Sequence, residues 1–228
     1  MKNLFVFDCD GVLRDESQSY LRCVTETVAH FSGGNPPTQS ELTDSLKESN
    51  DDWERTHKIL QQRGRVVPFE TVKGYFQDLY LGKARDFSGY INNEQWLAYN
   101  PLLGILSARH PLVIVSGAPR IEIEYALRRN GADTFFSGIW SSMEQQDCVN
   151  KRDGIEQAIA RFKPEETFFC DDRPSPIREA VQIPQVKAFG IMPPLAIDGW
   201  DKVLREAGAL DVYPNVKSYC RFLVAHWL

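Results

Sequence analysis

Two aspartates separated by one residue, Asp8 and Asp10, follow the apolar stretch Leu4–Phe7 near the start of the chain. A carboxylate resists burial unless its charge is compensated, so the pair is either solvated or holds something positive. Ser116 and Gly117 follow the apolar run Leu112–Val115, and a second acidic pair, Asp171 and Asp172, follows Thr167–Cys170. Lys151 stands just ahead of a helical stretch. Gathered in one place, these residue types would suit phosphoryl chemistry. Several carboxylates in one pocket repel each other strongly unless a cation intervenes. An oxygen donor set without His or Cys selects Mg2+ rather than zinc. Lys151, the Ser116 hydroxyl and the Gly117 N–H are donors suited to phosphate oxygens. A carboxylate beside Mg2+ can attack phosphorus and form an aspartyl-phosphate. A second carboxylate, two positions along, can protonate the leaving oxygen and then take a proton from water. Like-charge crowding favours a carboxyl that keeps its proton near neutral pH.

The elements that must position these residues are legible from hydrophobic patterning. Leu4–Phe7, Leu112–Val115, Phe135–Trp140, Thr167–Cys170 and Val186–Ile191 are short apolar runs of the kind that form strands covered on both faces. Helices are expected over Pro119–Asn130, Asp153–Arg161 and Ser175–Val181, with two more at Asp198–Ala207 and Asn215–Trp227. This alternation predicts an α/β fold, a three-layer Rossmann-like core with a parallel sheet. Ligands of such sheets sit beyond the carboxyl ends of the strands, where the acids, Ser116 and Gly117 fall. One segment departs from the alternation. Residues 15–99 read as consecutive helices, with Leu21, Val24, Val28 and Phe31 on one face and Thr38 and Glu41 at capping-box spacing. Further helices are expected at Asp51–Gln62 and Phe69–Leu81. The predicted organisation is a discontinuous core, 1–14 with 100–228, carrying a small all-helical insert over 15–99.

Composition narrows the class. The 228 residues are 43% hydrophobic and 25% charged, as in an ordinary globular chain, and the net charge is −5. With no basic run, neither nucleic acid nor an anionic membrane is an expected partner. Cys9, Cys23, Cys148, Cys170 and Cys220 are scattered and form no CxxC pair, so neither a disulfide framework nor a zinc site is expected. No signal-peptide pattern and no uncharged run near the ~20 residues of a membrane span is present. A reduced cytoplasmic location is the expectation.

The set FDCDGVL, VIVSG, Lys151 and FFCDD, in that order, resembles the haloacid dehalogenase-like hydrolase superfamily over about two thirds of the chain. The resemblance implies that Asp8 is the nucleophile and Asp10 the acid/base. It implies that Ser116 and Lys151 bind the phosphoryl group, with Gly117 beside them, and that Lys151 also neutralises Asp8. Mg2+ would be held by Asp8, the backbone carbonyl of Asp10, and Asp171 with or without Asp172. The helical insert falls where the superfamily carries a cap that sets substrate choice. Three positions depart from the pattern: Cys170 stands where Gly is common, Arg152 where Pro follows the lysine, and Arg14 where an apolar or small polar residue is usual. Arg14 has no role in the pattern.

The expected activity is a Mg2+-dependent phosphomonoester hydrolase acting on a small phosphorylated metabolite, as monomer or homodimer. A 2-haloacid dehalogenase lacks the acid at the position of Asp10. A sugar phosphomutase usually carries a His in the first cap segment, and residues 15–29 contain none. A catalytically weak phospho-ligand binder is the remaining alternative. Arg173, beside the second acidic pair, is a candidate substrate contact. His57, Arg63 and Arg65 in the insert are expected on a solvated helix face. Trp53, Trp96 and Trp140 are expected to pack.

Overall fold

The computed structural model describes residues 2–49, 51–143 and 146–227. It divides into two compact units, Met1–Asp15 with Gln95–Leu228, and Glu16–Glu94. In chain order the first elements are β1 (Leu4–Phe7), β2 (Arg14–Asp15) and the helices α1 (Tyr20–Phe31), α2 (Gln39–Glu48), α3 (Asp52–Gln62) and α4 (Phe69–Leu81). Then follow β3 (Gln95–Trp96), α5 (Asn100–Ser107), β4 (Leu112–Ser116), α6 (Arg120–Arg129), β5 (Phe136–Ser141) and α7 (Lys151–Phe162). The chain ends through β6 (Thr167–Asp171), α8 (Pro174–Ala180), β7 (Val186–Ile191), α9 (Trp200–Glu206), β8 (Val212–Tyr213) and α10 (Val216–Trp227).

Among the described residues the larger unit holds a parallel sheet in the order β5-β4-β1-β6-β7-β8. Apolar residues alternate strictly across it. Leu4 and Val6 face one cluster with Val113, Val115 and Phe169. Phe5 and Phe7 face the other with Leu112, Ile114 and Phe168. The first cluster is closed by Ile155, Ile177 and Leu204 from α7, α8 and α9. The second is closed by Leu103, Ile123 and Tyr219 from α5, α6 and α10. These two faces make the three-layer α/β architecture, and each fully buried Leu, Val or Phe contributes about 1.5–3 kcal/mol. Strand order reverses at β1, which lies between β4 and β6, so the crevice at its carboxyl end is the topological switch point.

The helical unit packs the faces its sequence periodicity marks. Val24 and Val28 of α1 are buried, whereas Leu21 is exposed, so the apolar stripe is narrower than expected. Tyr20 stacks on Tyr80 of α4 with ring centroids 4.5 Å apart. Ser19 and Tyr80 both donate to Glu94 Oε1 at 2.8 Å. The unit ends at Glu94 rather than at the expected residue 99, because Gln95–Trp96 pairs antiparallel with Arg14–Asp15 and joins the other unit. No helix among the described residues is long and apolar enough to cross a membrane.

Candidate active site

Register sets the site. Phe7 pairs with Ile114 on one side and Cys170 on the other, and the Asp8 N–H donates to the Cys170 carbonyl at 3.0 Å. Asp8 and Asp171 therefore leave adjacent strands at the same level. Lys151, the first residue of α7, is capped by Asn150, whose side chain accepts from the Asp153 N–H at 2.9 Å. Its Nζ reaches Asp8 Oδ2 at 2.8 Å and Asp171 Oδ2 at 2.6 Å. The other Asp171 oxygen, Oδ1, accepts from the Arg173 N–H at 2.8 Å. Asp8, Asp171 and Asp172 are all buried, and each offers an oxygen within 4.8 Å of the others. Gly11 takes φ +71°, and a Cβ there would lie 2.4 Å from Asp172 Oδ2. Only glycine lets this turn approach the carboxylate so closely.

The electrostatics of this cluster follow from burial and like charge. Burial pushes the Asp8 carboxyl up to about 7; Lys151 opposes the shift, and Asp171 and Asp10 add to it. Burial likewise takes Asp172 to about 8, opposed by Arg173 and reinforced by Asp171 and Asp8. Burial alone would lower the pKa of Lys151, yet Asp171 and Asp8 outweigh it and hold the ammonium charged. One ammonium facing three buried carboxylates leaves an excess of negative charge. Asp8 Oδ1 is buried and has no hydrogen-bond partner among the described residues. An oxygen-only triad with an orphaned carboxylate oxygen fits a hard divalent cation.

The sequence pattern of the haloacid dehalogenase-like hydrolase family matches residues 2–181. The chain belongs to this family. Solved structures similar to it include a haloacid dehalogenase-like family protein of Streptococcus pneumoniae, 16% identical, TM-score 0.70, covering 100% of this chain and 99% of that one. A predicted phosphoglycolate phosphatase of Haemophilus somnus is 15% identical, TM-score 0.75, with 97% of each chain covered. A structure named as a candidate beta-phosphoglucomutase, from Thermotoga maritima, is 19% identical, TM-score 0.73, covering 99% of this chain and 100% of that one. At these identities the likeness is one of fold. An imidazoleglycerol-phosphate dehydratase of Phytophthora nicotianae is 29% identical over 153 residues, 64% of this chain and 33% of that protein.

In this haloacid dehalogenase-like hydrolase the remaining sequence candidates are placed as follows. Ser116 ends β4, is buried, and its Oγ accepts from the Ala118 N–H at 3.2 Å. Gly117 has no neighbour among the described residues within 4 Å of where a side chain would stand. Arg173 stands at the residue before α8, and its Nε lies 3.5 Å from Asp172 Oδ2. Asp10 is outside the buried triad, 28% exposed, and its Oδ1 accepts from Arg14 Nε at 2.5 Å.

Arg14, without a role in the sequence pattern, is the residue that reading missed. It is almost fully buried and points toward the buried Glu122 of α6, Nη2 to Oε2 3.7 Å. Its signal was a charged residue directly after the apolar pair Val12-Leu13. Within the helical unit two expectations change. Arg63 is not on a solvated face: it forks onto both oxygens of Glu41, at 2.6 and 2.7 Å, and donates to the Asn35 and Pro36 carbonyls. His57 Nε2 lies 2.9 Å from the Val67 carbonyl. Arg65 is exposed, as expected. Trp53 is buried with the Lys73 ammonium 4.1 Å from its ring centroid, and Trp140 is buried with its indole N–H on Gln157. Trp96 is half-buried, its indole N–H on Asn100.

Proposed function

We propose that the chain is a Mg2+-dependent phosphomonoester hydrolase working through an aspartyl-phosphate on Asp8. The observation that carries this reading is the buried Asp8, ion-paired to Lys151, beside two further buried carboxylates. Asp8, Asp172 and Asp171, with the backbone carbonyl of Asp10, would hold the cation. When bound it supplies the missing positive charge, which keeps Asp8 ionised and draws electron density from the phosphoryl oxygens. Asp8 attacks phosphorus as the bond to the leaving oxygen breaks, and Asp10 gives that oxygen its proton. Asp10 then accepts a proton from water, whose oxygen displaces Asp8 and releases phosphate. Lys151, Ser116 and the Gly117 N–H orient the phosphoryl group, and Arg173 contacts the substrate.

The acid at Asp10 supports a phosphatase over a 2-haloacid dehalogenase. His30 is the first histidine after the acidic motif, and it stacks on Tyr75 at 4.1 Å; its use in packing supports the hydrolase over a phosphomutase. The place of Glu16–Glu94, directly after the first motif, supports its role as the substrate-selecting cap. Five free, buried cysteines support a reducing, cytoplasmic setting. A phosphate-release screen with Mg2+ over a panel of small phosphomonoesters tests the reading. Imidazole-bearing alkyl phosphates belong in that panel, given the name of the Phytophthora relative. Transfer of phosphate to a second sugar phosphate, without free phosphate, would overturn it in favour of a mutase.

A further inference from the structure

We propose that Arg14 is a positioning residue for Asp10, tying the proton-transfer carboxylate to the helix that follows the phosphate-binding turn. The inference rests on the reading of Asp10 as acid/base. Arg14 Nε donates to Asp10 Oδ1 at 2.5 Å, and its guanidinium is almost fully buried against Glu122, itself fully buried in the first turn of α6. The arginine is rooted as firmly as it reaches. Its N–H donates to the Cys9 carbonyl at 3.0 Å, its own carbonyl accepts from Gly11 at 2.9 Å, and its residue pairs with Trp96. Its neighbours Val12 and Leu13 are buried apolar side chains, and apolar or neutral residues replacing Arg14 and Glu122 together would remove both buried charges. A buried ion pair is weak evidence for stability, since well-packed hydrophobic residues replace such pairs without cost; its attested use is to fix one geometry.

That geometry is the one proton transfer needs. Asp10 is partly exposed and follows the strand rather than lying in it, so its carboxylate would otherwise rotate freely. The bond to Arg14 holds Oδ1 and leaves transfer to the leaving oxygen to Oδ2. Because α6 starts three residues after Gly117, a single buried link through Glu122 fixes the acid relative to the Ser116–Gly117 donors that would orient the phosphoryl group. Reach within hydrogen-bonding distance is what general acid catalysis depends on.

The test uses leaving groups that differ in their need for a proton. Phenyl phosphate and 2,4-dinitrophenyl phosphate are compared, with Mg2+, for the parent protein, Arg14→Lys and Asp10→Asn. A further variant, Arg14→Met paired with Glu122→Gln, removes both buried charges and guards against unfolding of a single replacement. Displacing an acid by an ångström costs on the order of a hundredfold. Both Arg14 variants should therefore lower kcat for phenyl phosphate about tenfold or more. The pre-steady-state release of dinitrophenolate and the KM of either ester should stay within about threefold. Parallel loss on both esters would make Arg14 merely structural and overturn the proposal, as would no loss on either. The same series separates the two readings. If Asp10→Asn shows no dependence on the leaving group, the acid role itself fails; if it shows one and the Arg14 variants do not, only the positioning role falls.

Discussion

The Asp8 backbone is held by β6, and the charge of its carboxyl is set by burial, by Lys151 and by the acidic neighbours Asp171 and Asp10. Asp8→Asn keeps size and shape, and it relieves the repulsion from Asp171 and Asp10. The folded protein should therefore be retained while turnover of an aryl phosphate falls by three orders of magnitude or more, as for other lost nucleophiles. Phosphate release from the purified variant at comparable rates would end the nucleophile assignment. Gly11→Ala probes the opposite kind of constraint. The new methyl would stand 2.4 Å from Asp172 Oδ2 on a backbone at φ +71°, so the turn must open or Asp172 must move. We expect Mg2+ affinity, read by titration calorimetry, to drop at least tenfold, with a stability loss of about 1–2 kcal/mol from the left-handed backbone alone. Unchanged affinity would mean Asp172 is not a ligand. Asp8 and Asp171 were legible because their place at strand ends follows from apolar runs alone, and Lys151 because it stands at the start of a helix. Arg14 was not, because its partner Glu122 is distant in sequence and only the fold brings them together.

Elements differed in how far local sequence determined them. The strands β1 and β7 and the helix α4 fall where apolar patterning put them, and the capping box at the start of α2 forms with both of its bonds. Such features rest on neighbours within one turn or on continuous burial. The two-residue strands β2 and β3 rest on pairing between residues about eighty apart, and the eight-residue α5 carries Pro101 and Gly104 in a stretch too short for a periodic signal. The same contrast explains Arg63, whose four hydrogen bonds go back to residues 35–41, the two to the Glu41 carboxylate drawing Glu41 down to about 2. Thr38→Ala should cost about 1 kcal/mol by loss of the cap, and Arg63→Ala should cost more, both read by urea unfolding. KM for phenyl phosphate should not change in either. A raised KM with unchanged stability in Arg63→Ala would return that arginine to the substrate.

Under the proposed function, the charge balance of the buried acids would tie folding to the cation. A carboxyl whose folded pKa lies above its unfolded value, about 3.9 for Asp, binds its proton more tightly when folded. Its contribution to stability is complete below the unfolded value and is lost as pH rises through the folded one. Asp8, at about 7, and Asp172, at about 8, are such groups. Metal-free protein in chelator should therefore lose thermal stability steadily from about pH 4 to about pH 8. Lys151 adds nothing in that window, because its raised pKa makes its contribution fully present below the ordinary lysine value and lost only at higher pH. Under the proposed function, Mg2+ would act with the opposite slope. Its ligands must be ionised, so binding tightens as pH rises, and a ligand that binds only the folded state stabilises it by an amount that grows with affinity. The difference in Tm between saturating Mg2+ and chelator should then widen from pH 5 to pH 8, and calorimetric scans across that range measure it. Asp172→Asn should lower the slope of the chelator curve across the whole window, most completely between about pH 7 and about pH 8, where Asp172 alone contributes. A Tm difference that stays constant with pH would separate the acidic cluster from metal binding. It would leave Lys151 as the compensating charge and the three carboxylates sharing protons instead of a cation.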